Sequence, residues 1–247
     1  MKVKIRDKFS KSKLRQFFAQ NFYYLYLKNK VRIKTWLKYD RENPACLYPL
    51  TIFEVSTKDI NKKTIYEKSF FKENKFQPRL DNSNWSERTE KIEDYYFYKS
   101  FREHFKKGKN WEETEWFDKA RGTYGASSDE EMREIGDKID KLYASIQKEG
   151  FSKQKQSNSA LSTKNQIDNH LNEFNEIIVA IDKNGEIILD DGRHRLLIAK
   201  LLDIDKISVR ILVRHKEWQE VRNQAVKNPE KLTKKQKQHP DIRALLK

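Results

Sequence analysis

The chain has 247 residues, with 52 Lys/Arg against 37 Asp/Glu for a formal charge of +15, and hydrophobic and charged residues each make up 36%. That length suits one embellished domain or two small ones. Seven Gly and five Pro exclude collagen-like and low-complexity classes, 14 Phe, 11 Tyr and 5 Trp argue against wholesale disorder, and the single Cys46 excludes an internal disulfide and a Cys-based zinc site.

Residues 1–40 hold 12 Lys/Arg against Asp7 and Asp40, residues 219–247 hold eight against Glu220, Glu230 and Asp241, and the middle is neutral, so the basicity belongs to the two ends. Basic ends can meet nucleic-acid phosphate or an anionic membrane surface, or simply be solvated. Residues 10–38 read as a helix whose broad apolar face is Leu14, Phe17, Phe18, Phe22, Leu25 and Leu27. Such a helix either packs on its own domain or lies in a membrane interface. No apolar run approaches the roughly 18 residues of a membrane span, and no apolar stretch follows the basic opening as in a secretory signal. A cytoplasmic location is therefore expected.

Leu50–Val55 alternates as a strand, and Ser56–Ile60 turns. Glu87–Lys107 reads as a helix with a Tyr95, Tyr98, Phe101, Phe105 stripe, stopped by Gly108. Asn110 caps a second helix over Trp111–Ala120, residues 122–128 form a loop, and Ser128 caps a long helix over Asp129–Glu149 that ends at Gly150. The aromatic clusters at 95–117 read as packing. Residues 152–169 are polar and expected as a mobile loop. Glu176–Ile181 and Glu186–Asp190 are strands joined by an Asn184-Gly185 hairpin turn. A helix over Arg193–Leu202 and a strand over Ile207–Val213 follow, then a Lys/Gln-rich tail with a short apolar end at Ile242–Leu246.

The chemistry concentrates where the second hairpin strand meets the helix, at Asp190-Asp191-Gly192-Arg193-His194-Arg195. The first N–H groups of a helix have no intrahelical partner and carry the positive end of its dipole. Gly192 lets backbone approach a ligand, Arg193 and Arg195 add planar charged donors, and His194 can donate a hydrogen bond or shuttle a proton. Together they describe an anion site suited to phosphate. The alternative is that Arg193 and Arg195 pair with Asp190 and Asp191 and only close the hairpin.

The Asp191–Arg195 block and the following helix and Ile207–Ile211 strand resemble the ParB/sulfiredoxin-fold family, in which a strand meets a GxxR turn and a helix. Leu142–Gly150 is similar to the family's "L..SI...G" helix, Leu50–Ile60 to its opening strand and turn, and Gln77-Pro78-Arg79 to a tripeptide of partitioning members. The resemblance implies an α/β (α+β) domain with a small mixed sheet, here spanning 46–218 with a helical insertion at about 61–137, after a basic aromatic segment (1–45) and before a basic tail (219–247). It implies a nucleotide, ATP or CTP with Mg²⁺, whose phosphates lie at Gly192, Arg193, His194 and Arg195. Ser145 of the "SI" helix assists, with Lys138 and Lys141 sharing its face at helical spacing.

Departures narrow the chemistry. Sulfiredoxins carry a Cys where Arg193 stands, and ParB proteins place a helix-turn-helix where only residues 219–247 follow. The expected function is an Mg-dependent NTP hydrolase or phosphotransferase, which needs a carboxylate as base and metal ligand. Glu54, Asp59, Asp190 and Asp191 are candidates; Asp191, beside the turn, is preferred for both roles, with His194 the second catalytic candidate. The rival is a DNA-binding protein, regulatory or nucleolytic, that uses its basic ends. Arg214-His215 is a second polar pair at the expected site edge, or a structural one.

Overall fold

A computed structural model of the chain describes residues 25–26, 29–47, 51–65, 78–151 and 176–246. Expectations for residues 10–24 and 27–28, for Gln77 and for the loop 152–169 fall outside the described residues.

The sheet is built on the hairpin read from the sequence. Strand β5 (Ile177–Ile181) is buried at every position. Its continuous β-branched run suits a strand covered on both faces. Ile177, Val179 and Ile181 enter the larger core, and Ile178 and Ala180 a smaller one with Trp85, Ile188, Leu212 and Val213. At the turn the Asp182 carboxylate accepts the N–H groups of Asn184 and Glu186 at 2.9 and 2.6 Å. Gly185 sits at φ +84°, and a Cβ there would lie 2.5 Å from the Trp218 ring. Strand β6 (Ile187–Asp191) returns antiparallel to β5. Helix α6 (Arg193–Leu201) then carries the chain across to β7 (Lys206–His215), which pairs parallel with β5.

Four short strands complete a seven-stranded sheet of order β1-β7-β5-β6-β2-β4, with β3 also on β7. They are β1 (Ile52–Ser56), β2 (Lys62–Thr64), β3 (Arg79–Asp81) and β4 (Thr89–Lys91). The sheet is mixed: β1 is antiparallel to β7, and β2 and β3 are parallel to β6 and β7. The protein is thus of mixed α/β class, as expected. The stretch at 61–137 is not helical throughout, since it supplies β2, β3 and β4. These three-residue strands are polar, so alternation cannot mark them; the edges of β6, β2 and β7 recruit them by backbone hydrogen bonding.

Numbering the helix at residues 29–35 as α1, the next helix, α2, is Tyr96–Lys107, shorter than read because β4 and a turn occupy its expected start. Gly108 ends it at φ +73°. Asn110 and Glu113 form a reciprocal capping box on a 3-10 turn, Trp111–Glu113. Extended Thr114 separates that turn from α3 (Glu115–Lys119). The stretch read as a loop at 122–128 opens with helix α4 (Arg121–Tyr124). Helix α5 (Asp129–Glu149) keeps its expected bounds, its Ser128 hydroxyl accepting the Glu131 N–H at 3.2 Å. Met132, Gly136, Ile139 and Ile146 turn its inner face to the core. Gly136 gives the Trp111 indole its place, since a Cβ there would sit 2.7 Å from the ring.

The tail is bound to the sheet. Helix α7 (Lys216–Lys227) crosses the expected boundary at 218/219, and α8 (Lys234–Gln238) and α9 (Pro240–Arg243) fold back over the hairpin tip, where the His239 ring meets the Gly185 carbonyl at 3.0 Å. Asp241, fully buried, accepts Arg214 Nε and Nη2 at 2.8 and 2.7 Å and Trp218 Nε1 at 3.1 Å, and pairs with Arg222 at 3.1 Å. Burial alone would raise its pKa, but the two guanidiniums hold it below the usual carboxylate range. Beside α7, the Ala45 carbonyl accepts Gln219 Nε2 and Arg222 Nη1 at 2.7 and 3.1 Å.

Candidate functional site

The β6–α6 turn lies at the open end of the β5–β6 hairpin. Gly192 caps α6 at φ +88°, where side chains are strained, and a Cβ would stand 2.9 Å from the Ile177 Cα. The position therefore demands glycine on two counts. The Gly192 N–H donates to the Asp191 carboxylate at 2.8 Å, and the Thr64 hydroxyl of β2 donates to Asp190 at 3.3 Å.

Asp191 acts on Arg193 through charge, and both arginines of the turn also hold partners on other elements. Arg193 donates to the Tyr95 hydroxyl at 3.1 Å and lies over the Phe97 ring, 4.9 Å from its centroid. Lys63 covers the Tyr95 ring at 4.3 Å, so Tyr95 stands between two cations. Burial pushes the Tyr95 phenol up to about 12, against the pull of Arg193. Arg195 donates to the Glu176 carboxylate at 3.1 Å and stacks on Phe151 at 4.6 Å. That pair is nearly out of water, at 13% and 1% side-chain exposure. Arg210 of β7 is buried, and burial lowers its pKa to about 10 although Asp191, Glu176 and Asp190 oppose the shift. In register, Asp191 and Arg210 flank Ile178 in one cross-strand row.

His194 packs on the same aromatic wall as Arg193, its ring centroid 5.9 Å from that of Phe97. Its Nε2 meets the Tyr124 hydroxyl at 2.6 Å, and its ring stacks on Phe101 and Tyr124 at 6.0 and 5.9 Å. Burial, helped by Arg193, lowers its pKa to about 3. The ring is therefore neutral near pH 7 and locked to Tyr124. The expectation that His194 meets phosphate or shuttles a proton gives way to one of holding α6 against α2 and α4.

The other expected residues are dispersed. Ser145 and Lys141 of α5 are exposed, and Lys138 is half-buried. At about 100° per residue, Lys141 and Ser145 lie on the side away from Ile139 and Ile146. Among the described residues no hydrogen bond or ion pair joins the three to the turn. Asp59 lines a cavity of about 550 Å³ at the hairpin tip, with Glu186, Trp218, Lys235 and His239. Glu54 is exposed on β1. Arg79 pairs with Val213, and Arg214 belongs to the Asp241 cluster. His215 caps α7 by accepting the Glu217 N–H at 3.3 Å, a structural use. These last two lie at the hairpin-tip end of β7, where Arg214 is level with Ile181, not at the edge of the turn as expected.

Sequence reasoning missed Tyr95, Glu176 and Arg210 as members of the site. Arg210 left a signal, a lone charge inside an apolar strand. Glu176 and Tyr95 left none, because tertiary pairing alone brings them to the turn. Among the described residues no group of three or more His, Cys, Asp or Glu side chains is placed to hold a metal ion. Magnesium that arrives with a nucleotide needs only one or two carboxylates beside phosphate oxygens and water. Asp190 and Asp191 fit that need; a resident cation held by protein alone does not fit. Comparison with family models, curated proteins and solved structures finds no significant match, so the activity has to be argued from the turn itself.

Proposed function

We propose that the protein binds a nucleoside triphosphate, ATP or CTP, with its phosphates at the Gly192–Arg195 turn, in a domain related to the ParB/sulfiredoxin fold, and acts as an Mg-dependent NTP hydrolase or phosphotransferase. One observation carries the reading: a left-handed glycine opens a nine-residue helix at the end of a strand, with three arginines gathered around it. The helix N-terminus supplies N–H donors, and Gly192 lets the turn close against Ile177. Arg193, steadied by the Nη1 bond to Tyr95, would offer its other guanidinium donors, a fork that matches phosphate. Glu176 fixes the orientation of Arg195. Magnesium, when bound, would neutralise phosphate charge, with Asp191 and Asp190 as its protein ligands. Asp191 would also take a proton from an attacking water or hydroxyl.

Calorimetric titration of ATP and CTP with Mg²⁺ into the wild-type chain, Arg193→Ala and Arg195→Ala tests this. Saturable binding of one nucleotide, weakened about tenfold or more by Arg193→Ala, is expected for loss of a charge-assisted contact. Near-UV circular dichroism shows whether each variant keeps its fold. No heat with either nucleotide in the wild type would sink the reading and leave DNA binding through the basic ends as the better account.

A further inference from the structure

Eight large apolar side chains are exposed among the described residues; Ile33, Trp36 and Leu37, at 53–59% exposure, lie on the helical stretch 29–40, and Leu25 and Tyr26 are exposed on the helical residues 25–26 before it. At about 100° per residue Ile33, Trp36 and Leu37 fall within roughly a third of the circumference. Val31 and Thr35, on the other side, are buried. The inner face is thus already satisfied, and the outer stripe is a second apolar face. Arg32 borders one edge of the stripe, and Lys30 and Lys34 the other. The cations lean on the aromatic rings: Lys30 lies 5.4 Å from the Tyr26 centroid and Arg41 5.8 Å from that of Trp36.

We infer that this face docks on the surface of an anionic lipid bilayer. An apolar stripe with Trp and Tyr, edged by Lys and Arg, matches a helix lying in the headgroup region with its apolar side down. The edging cations then reach lipid phosphate and carboxylate. Charge complementarity decides among occupants. Residues 1–40 carry 12 Lys/Arg against two acids, so a second copy would set like charge against like. Nucleic acid would be held through its phosphates, to which the aliphatic Leu25, Ile33 and Leu37 of this face offer nothing. Among the described residues no helix is long and apolar enough to cross a membrane, so the contact is peripheral.

The test floats the full chain with vesicles of phosphatidylcholine alone and of equal parts phosphatidylcholine and phosphatidylserine. Wild type should float with the anionic vesicles and bind the neutral ones about tenfold more weakly. Ile33→Glu combined with Leu37→Glu should cut anionic-vesicle binding by about tenfold or more. Both positions are exposed, so far-UV circular dichroism should be unchanged. Trp36→Phe should remove a blue shift of emission that wild type shows on vesicle addition. Failure of wild type to float with anionic vesicles overturns the inference, as does equal flotation of the double variant. A wild-type dimer in sedimentation that the double variant abolishes, without flotation, would assign the face to self-association instead.

Discussion

At the scale of single residues, Gly192 and His194 show how one turn serves two layers. Gly192→Ala meets both a strained φ and the Ile177 backbone, and backbone cannot give way as a flexible side chain can. We expect a loss of about 2–4 kcal/mol in chemical denaturation, above the ordinary cost of a non-glycine residue at positive φ. His194 yields a pH prediction. Its folded pKa, about 3, lies below the unfolded value near 6.5. Between those values the unfolded chain binds the extra proton, so stability rises with pH across the window and is complete above it. Acidification from about pH 6.5 toward 4 should lower the stability measured in urea unfolding by on the order of a few kcal/mol, and the melting temperature with it. His194→Gln should flatten that slope; an unchanged slope would show that other groups set it.

At the scale of elements, what the sequence revealed was local. Helix α5 kept its bounds because Ser128 and Gly150 mark its ends and its apolar spacing runs unbroken between them. The β5–β6 hairpin was legible because Asn184-Gly185 marks a turn between two β-branched runs, although of the two only Gly185 takes a positive φ. Strands β2, β3 and β4 were illegible because their pairing partners, not their own residues, make them strands. The turn itself was readable as Gly192-Arg193-His194-Arg195, yet the direction of each side chain was not. Tyr95 lies 98 positions from Arg193, and Glu176 lies 19 from Arg195. The Arg195–Glu176 pair makes its own prediction. Arg195→Ala leaves the Glu176 carboxylate buried without that partner, a change that costs about 3–5 kcal/mol where nothing else compensates. Arg210 lies close enough to Glu176 to soften the loss, so a value in the lower part of that range is expected from urea unfolding.

Across the whole molecule, the residues after β7 behave as part of the domain. Asp241 neutralises two buried guanidiniums at once. Asp241→Asn should destabilise the entire fold by about 3–5 kcal/mol, seen as a single cooperative transition shifted to lower urea. A transition that splits in two would instead mark the tail as a separate unit. The sheet order carries a further consequence, for synthesis. Among the described residues, strands β1 and β3 pair only with β7, and β2 reaches the central sheet only through β6. A ribosome that has delivered residues up to about 175 has therefore made four of the seven strands and none of the ladder that joins them to the centre. Long-range pairing of this kind closes slowly. Such a nascent chain can form helices such as α5 as it emerges, but its edge strands must wait for the final third of the message to be translated.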